Sequence, residues 1–308
     1  MISNIFTLIG QISIFQYVYA LFTSLYTSAF RSSKKPRDFG KWAIVTGATD
    51  GIGKAMAIEL YKHGLNLMII GRNKGKLSNT ALEMRNLQIY PEPEIKEVVM
   101  DFSDPSGYDQ LNEEIKKLDD IGILVNNAGV GYPYPQYFDE LDVSLINEII
   151  DVNIRGVFMM TKMVYGKMKE QRRGAILCIG SGFSELTSAP LYSIYASSKK
   201  AIQNFCNNLQ IESSAYNIVV QCQILFIVMT KLSKMKKETL FVIPPQKMAQ
   251  ESIRELCKGG LIWSTICPYW AHKLQLIFAN LIPTFIWNSL ILWKLRSIRD
   301  RALKKKVA

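Results

Sequence analysis

Histidine is nearly missing from this sequence: of 308 residues only His63 and His272 carry an imidazole, so a histidine-built metal site lacks its ligands and no metal is expected. The five cysteines, Cys178, Cys206, Cys222, Cys257 and Cys267, form no C-x-x-C pair. An odd number without metal-like spacing argues against a disulfide framework or zinc ribbon and suits free thiols in a reducing compartment. Charge is absent from the first 30 residues, and again from "LQLIFANLIPTFIWNSLILW", Leu274–Trp293. No repeat or low-complexity tract is present, which excludes a solenoid or a linker-rich chain.

Positive charge is in excess, at a formal +11, and its placement decides its meaning. Arg31, Lys34, Lys35 and Arg37 follow the first apolar segment, and most of the rest lies from Lys294 onward, leaving a nearly neutral body. Basic residues beside apolar segments indicate a membrane surface, and no nucleic-acid partner is expected. Residues 1–30 read as an uncleaved membrane anchor, because no basic residue precedes the apolar stretch as it would in a secretion signal, although "TSA" at Thr27–Ala29 imitates a cleavage site. The positive flank on the C-terminal side keeps the following domain in the cytosol. Gln11 and Gln16 also fit a helix lying in the interface. The apolar run near the other end is long enough to span a bilayer with a kink at Pro283, while a buried helix of a soluble domain has the same composition. Lys305 and Lys306, fourth and third from the C-terminus, resemble the dilysine signal of endoplasmic reticulum membrane proteins, which is read on the cytosolic side.

Between these ends the pattern alternates. "KWAIVTGATDGIGKAMAIELYKHG" predicts a strand over Trp42–Val45, a glycine turn and a helix that runs to His63. "LNLMIIGRN", "EIKEVVMDFSD", "IGILVNNAGV", "GAILCIGSG" and "NIVVQCQILF" predict five further strands separated by helix-length segments. Such spacing implies parallel pairing with helices on both faces, an α/β doubly wound parallel sheet of Rossmann-like type, with apolar membrane-associated segments at both termini. The expected organisation is an anchor (1–30), a basic linker (31–39), an α/β Rossmann-like domain with a lid (40–258), an apolar membrane-associated segment (259–293) and a basic cytosolic tail (294–308).

The turn "TGATDGIG" places Gly47, Gly51 and Gly53 directly after a strand and before a helix. A dinucleotide pyrophosphate requires that context, since glycines allow close backbone approach and the helix N-terminus favours negative charge. Together with "VNNAG" at Asn126–Gly129 and "YASSK" at Tyr195–Lys199, the turn resembles the short-chain dehydrogenase/reductase family over roughly residues 40–235. More narrowly, the chain is similar to the membrane-bound branch that contains very-long-chain β-ketoacyl-CoA reductases and hydroxysteroid dehydrogenases.

Hydride reduction of a carbonyl needs a proton for the forming alkoxide, and a Tyr can supply it when a cation favours its ionised form. Lys199 lies one helical turn beyond Tyr195 on the same face. The resemblance implies that Lys199 also reaches the cofactor ribose, that Asn153 in "DVNIRG" supports a proton relay, and that Gly47, Thr49, Gly51, Ile52, Gly53, Asn127 and Thr230 contact the cofactor. It places Asp101 at the adenine edge. Arg72 in "IIGRN" stands at the end of the second strand with no acid beside it, which favours the extra phosphate of NADPH over the bare ribose of NAD.

Two positions depart from the family's pattern. The substrate-binding serine is expected 13 residues before Tyr195, where Gly182 stands, while Ser181 lies 14 before and Ser184 11 before. Loops absorb an extra residue at low cost, so Ser181 is the expected catalytic serine and Ser184 the alternative. "QILFIVMTKL" has Leu225 or Phe226 where a proline is expected. These departures keep open a second function, that of a catalytically impaired relative acting as a membrane-bound interaction protein. The expected activity is reduction of a carbonyl on an apolar substrate, either a long-chain β-ketoacyl-CoA or a ketosteroid. In the lid, Lys231, Lys234, Lys236 and Lys237 fit coenzyme A phosphates or acidic lipid heads equally. Pairing of two copies through the central helices is the oligomer the resemblance implies.

Overall fold

In a computed structural model of the chain, Gly10, Gln11, Phe15 and residues 33–235, 237–259 and 264–307 are described. The expected anchor lies outside the described residues except at those three positions. Arg31, Lys236, residues 260–263 and Ala308 lie outside them as well.

Seven parallel strands form one sheet in the order β3-β2-β1-β4-β5-β6-β7. They are β1 (Trp42–Thr46), β2 (Asn66–Gly71), β3 (Ile95–Val99), β4 (Ile121–Asn126), β5 (Gly174–Ile179), β6 (Ile218–Gln223) and β7 (Thr265–Ile266). The helices in chain order are α1 (Gly51–Lys62), α2 (Lys74–Arg85), α3 (Tyr108–Lys116), α4 (Val143–Ile150), α5 (Gly156–Gln171), α6 (Ser193–Ser213), α7 (Pro245–Cys257), α8 (Trp270–Leu281) and α9 (Thr284–Val307). Side chains of a strand alternate between faces, so β1 sends Ala43 and Val45 into the core shared with α1 and α7, and Trp42 and Ile44 into the core shared with α3, α5 and α6. Both faces are covered, which is why the central strands read as unbroken apolar runs. The strand order reverses between β1 and β4, and such a switch point opens the crevice where ligands of doubly wound sheets bind.

All six expected strands form. The seventh, β7, was not legible because it is only two residues long, and it lies inside the 259–293 stretch expected to be membrane-associated. Within Leu274–Trp293 the helix breaks where a proline constrains the residue before it: Ile282 adopts φ −77° and ψ 128°, outside the helical region. The axes of α8 and α9 then differ by 120°. Among the described residues no single helix is long and apolar enough to cross a membrane, and only the bent pair passes by length and composition. Residues 294–307 continue α9.

Candidate active site

The switch-point crevice is built by the turn after β1 and the loop after β4. Gly47 and Gly51 have φ of +66° and +54°, a left-handed conformation that favours glycine. A Cβ on Gly53 would stand 2.4 Å from the Gly47 carbonyl oxygen, so α1 meets the turn too closely for any side chain. Asn127 locks the arrangement. Its Nδ2 donates to the carbonyls of Thr46 (2.9 Å) and Gly47 (3.2 Å), while the Thr46 hydroxyl accepts from the N–H groups of Asn127 and Ala128, each at 3.0 Å. Asn127 therefore holds the turn that would seat a pyrophosphate.

The reacting side lies between β4, β5 and α6. The Lys199 Nζ is buried, donates to the Ile179 carbonyl at 2.9 Å and lies 6.0 Å from the Tyr195 ring centroid. Among the described residues no carboxylate forms an ion pair with it. A buried ammonium without a counter-ion is costly unless other acceptors face it, and the Ile179 carbonyl does so here. Gly129 keeps space open here, since a Cβ on it would meet the Asn153 Oδ1 at 3.4 Å and the Lys199 Nζ at 3.5 Å.

Asn153 sits in a π-turn, Asp151–Arg155, between α4 and α5, and is wholly buried. Its Oδ1 accepts from the Val130 N–H (2.8 Å), and its Nδ2 donates to the Val130 carbonyl (2.9 Å) and the Ser198 hydroxyl (3.1 Å). The side chain clamps the β4 loop to α6 through these three bonds.

Ser181 and Ser184 are both buried but differ in commitment. The Ser184 hydroxyl donates to the Ser181 carbonyl at 2.7 Å, whereas the Ser181 Oγ accepts from the Phe183 N–H at 3.3 Å and keeps its proton available. The loop brings Phe183 edge-on to Tyr195, with centroids 6.3 Å apart, and stacks it on Tyr192 at 5.0 Å; Tyr192 in turn stacks on Tyr132 at 5.2 Å. This aromatic wall was not visible in the sequence, because its members lie on three separate segments. Burial pushes the Tyr192 phenol up to about 12, so the neighbouring hydroxyl stays neutral.

Arg72 follows β2, is largely exposed and approaches the Glu148 carboxylate at 3.7 Å. Thr49 lies against Gly71, where a Cβ would meet its methyl at 2.8 Å, and Ile52 packs against the core at the start of α1. The Asp101 Oδ1 accepts from the Ser103 hydroxyl (2.7 Å) and N–H (3.0 Å), which hold its carboxyl below the usual range. Thr230 faces Gly51, whose Cβ would come within 3.1 Å of its methyl, and its N–H donates to the Ser233 hydroxyl. A cavity of about 700 Å³ lies there, lined among others by Asp50, Gly51, Lys54, Thr230 and Lys231. Two of the lid lysines are engaged: Lys231 pairs with Asp50 at 2.5 Å, and Lys234 donates to the Pro133 carbonyl at 2.8 Å. The glycine cradle at the start of α1 fits a dinucleotide, with the Asp50 carboxylate accepting from the Gly51 N–H at 2.8 Å beside it.

This fold is that of the short-chain dehydrogenases, and the chain belongs to that family, whose profile, described as short chain dehydrogenase, matches residues 41–240. It is an oxidoreductase of the branch with very-long-chain 3-oxoacyl-CoA reductases and hydroxysteroid dehydrogenase-like proteins, on a fold that binds a nicotinamide cofactor. It is 37% identical to an Arabidopsis thaliana very-long-chain 3-oxoacyl-CoA reductase-like protein, over 88% of this chain and 85% of that one. It is also 37% identical to the human inactive hydroxysteroid dehydrogenase-like protein 1, over 88% and 79%. A solved 7beta-hydroxysteroid dehydrogenase structure shares the fold with a TM-score of 0.70 at 22% identity, over 84% of this chain and 98% of that one.

Proposed function

We propose that the protein is an NADPH-dependent reductase of long-chain 3-oxoacyl-CoA, and the observation that carries the reading is the buried, carboxylate-free Lys199 beneath Tyr195. When bound, NADPH supplies the hydride. The Ser181 hydroxyl donates to the substrate carbonyl, and Tyr195 gives its proton to the forming alkoxide. Lys199 stabilises the resulting phenolate and binds the ribose, and the main chain at Asn153 leads protons back. Gly47, Gly51 and Gly53 seat the pyrophosphate, Asp101 the adenine edge and Thr230 the nicotinamide side, and Arg72, exposed beside Glu148, turns to the 2′-phosphate. The acyl chain lies along Phe183, Tyr192 and Tyr132. The partners are the membrane, at the cytosolic face of the endoplasmic reticulum, and a second copy, through exposed Ile150, Phe158 and Met159 on the central helices.

The test uses purified protein in detergent, following NADPH oxidation with a long-chain 3-oxoacyl-CoA and with a ketosteroid. Turnover with the acyl-CoA that falls at least about a thousandfold in Tyr195→Phe, with NADPH affinity unchanged, is expected. Turnover only with the ketosteroid would replace the substrate assignment. A second reading, an impaired relative acting as an interaction protein, is favoured by the lengthened Ser181 loop and by the 37% identity to a relative named inactive. NADPH binding without turnover on either substrate is its signature.

A further inference from the structure

The two departures noted in the sequence, the extra residue beside Ser181 and the non-proline residue after β6, meet in space. Beyond the ends of β5 and β6, the Gly180 N–H donates to the Gln223 carbonyl at 2.9 Å and the Gly182 N–H to the Leu225 carbonyl at 2.8 Å. The segment carrying Ser181 is thus registered on residues 223–225. The Phe226 ring then lies against Gly182, where a Cβ would stand 2.8 to 2.9 Å from three of its carbons. Only a residue without a side chain fits between them.

Phe226 is held from the opposite side by His272 of α8. Its N–H donates to the His272 Nδ1 at 3.3 Å, and the two rings lie 5.7 Å apart. A proline at 226 would have no N–H to give. Because Nδ1 accepts, the neutral ring carries its proton on Nε2, which donates to the Phe241 carbonyl at 3.2 Å. His272 is wholly buried, with Tyr269 edge-on at 5.2 Å. Phe241 lies in the lid, beside the Thr239 to Val242 bridge and next to Ile243, which pairs with Val228. One imidazole therefore joins the serine loop to the base of the lid.

We propose that His272 is a positioning residue for the reaction, holding the Ser181 loop through Phe226 and the lid through Phe241. The kinetic part of this inference rests on the reductase reading, while the structural part does not. The test compares wild type, His272→Asn and His272→Gln in the full chain by site-resolved amide hydrogen exchange and by steady-state kinetics. An Asn carbonyl occupies the Nδ1 place and keeps the acceptor for Phe226 but abandons Phe241. A Gln amide occupies the Nε2 place and keeps the donor to Phe241 but leaves the Phe226 N–H unpaired.

In His272→Gln, the amides of Gly182 and Phe226 are expected to exchange at least about tenfold faster while residues 241–243 stay protected; in His272→Asn the pattern inverts. With 3-oxoacyl-CoA, His272→Gln is expected to lower kcat about tenfold at unchanged NADPH affinity, and His272→Asn to raise KM at nearly unchanged kcat. Gly182→Ala, which drives a methyl group into the Phe226 ring, is expected to reproduce the Gln behaviour without touching His272. Loss of protection spread evenly along the chain in both variants, or wild-type exchange at 182 and 226 in His272→Gln and Gly182→Ala, overturns the proposal. Absence of wild-type turnover would refute the reaction, and the exchange pattern would then decide the role of His272 by itself.

Discussion

The proposed catalytic role of Ser181 rests on which hydroxyl still has a proton to give. Ser184 spends its proton on the Ser181 carbonyl, so it braces the loop, while Ser181 retains the donor that a substrate carbonyl needs. Ser181→Ala is expected to lower kcat about a hundredfold, the scale of losing one oxyanion donor, with little change in Tm. Ser184→Ala is expected to leave kcat within about threefold and to cost about 1 kcal/mol of stability in a denaturation curve. Arg72 is judged by a different readout. Removing it with Arg72→Ala should weaken NADPH at least about tenfold and leave NADH within about twofold by fluorescence titration, because a charge-assisted pair to the extra phosphate is lost. Equal weakening of both cofactors would remove Arg72 from the 2′-phosphate.

At the scale of elements, the π-turn between α4 and α5 exists to bring Asn153 inward, where it pairs both backbone groups of Val130 with α6. Asn153→Ala leaves the half-buried Val130 N–H and carbonyl without this partner and is expected to destabilise the protein by about 1 to 2 kcal/mol in urea unfolding, before any effect on turnover. The lid and α8 share a pH dependence through His272. Burial holds its pKa below 6.5, partly offset by the bond to Phe241, so the folded state keeps it neutral where the unfolded chain would protonate. Its contribution is then complete above about pH 6.5 and declines as the pH falls from there through the lowered folded-state value. Urea midpoints should fall between neutral and acidic pH, and His272→Gln should flatten that part of the curve.

For the whole molecule, the proposed membrane contact depends on how the C-terminal helices are held. The bend at Pro283 turns the expected span into two helices, and α9 is tied to the domain: Trp287 donates to the Ser188 carbonyl at 3.2 Å, Arg296 to the Tyr137 hydroxyl at 2.9 Å, and Arg299 pairs with Glu140 at 2.5 Å. Leu281, Phe285 and Trp293 remain exposed near the basic residues that begin at Lys294. Burying such side chains in lipid contributes roughly 1.5 to 3 kcal/mol each. In a chain lacking residues 1–32, replacing all three with Ser is expected to weaken co-sedimentation with anionic vesicles at least about tenfold; unchanged binding would place membrane contact elsewhere.

The sequence by itself determined the doubly wound sheet, because apolar runs separated by helix-length segments admit only parallel crossovers, and it located the glycine turn, Tyr195 and Lys199, because their spacing is local to one turn or one helix. It could not reveal β7, which is too short to show a period, or the 120° break, since Pro283 announces a kink but not which neighbours capture the second helix. The clamp on Asn153, the Phe183–Tyr192–Tyr132 wall and the His272 link join residues far apart in the chain. Their partners are chosen by packing across the crevice, so only the tertiary structure could decide them.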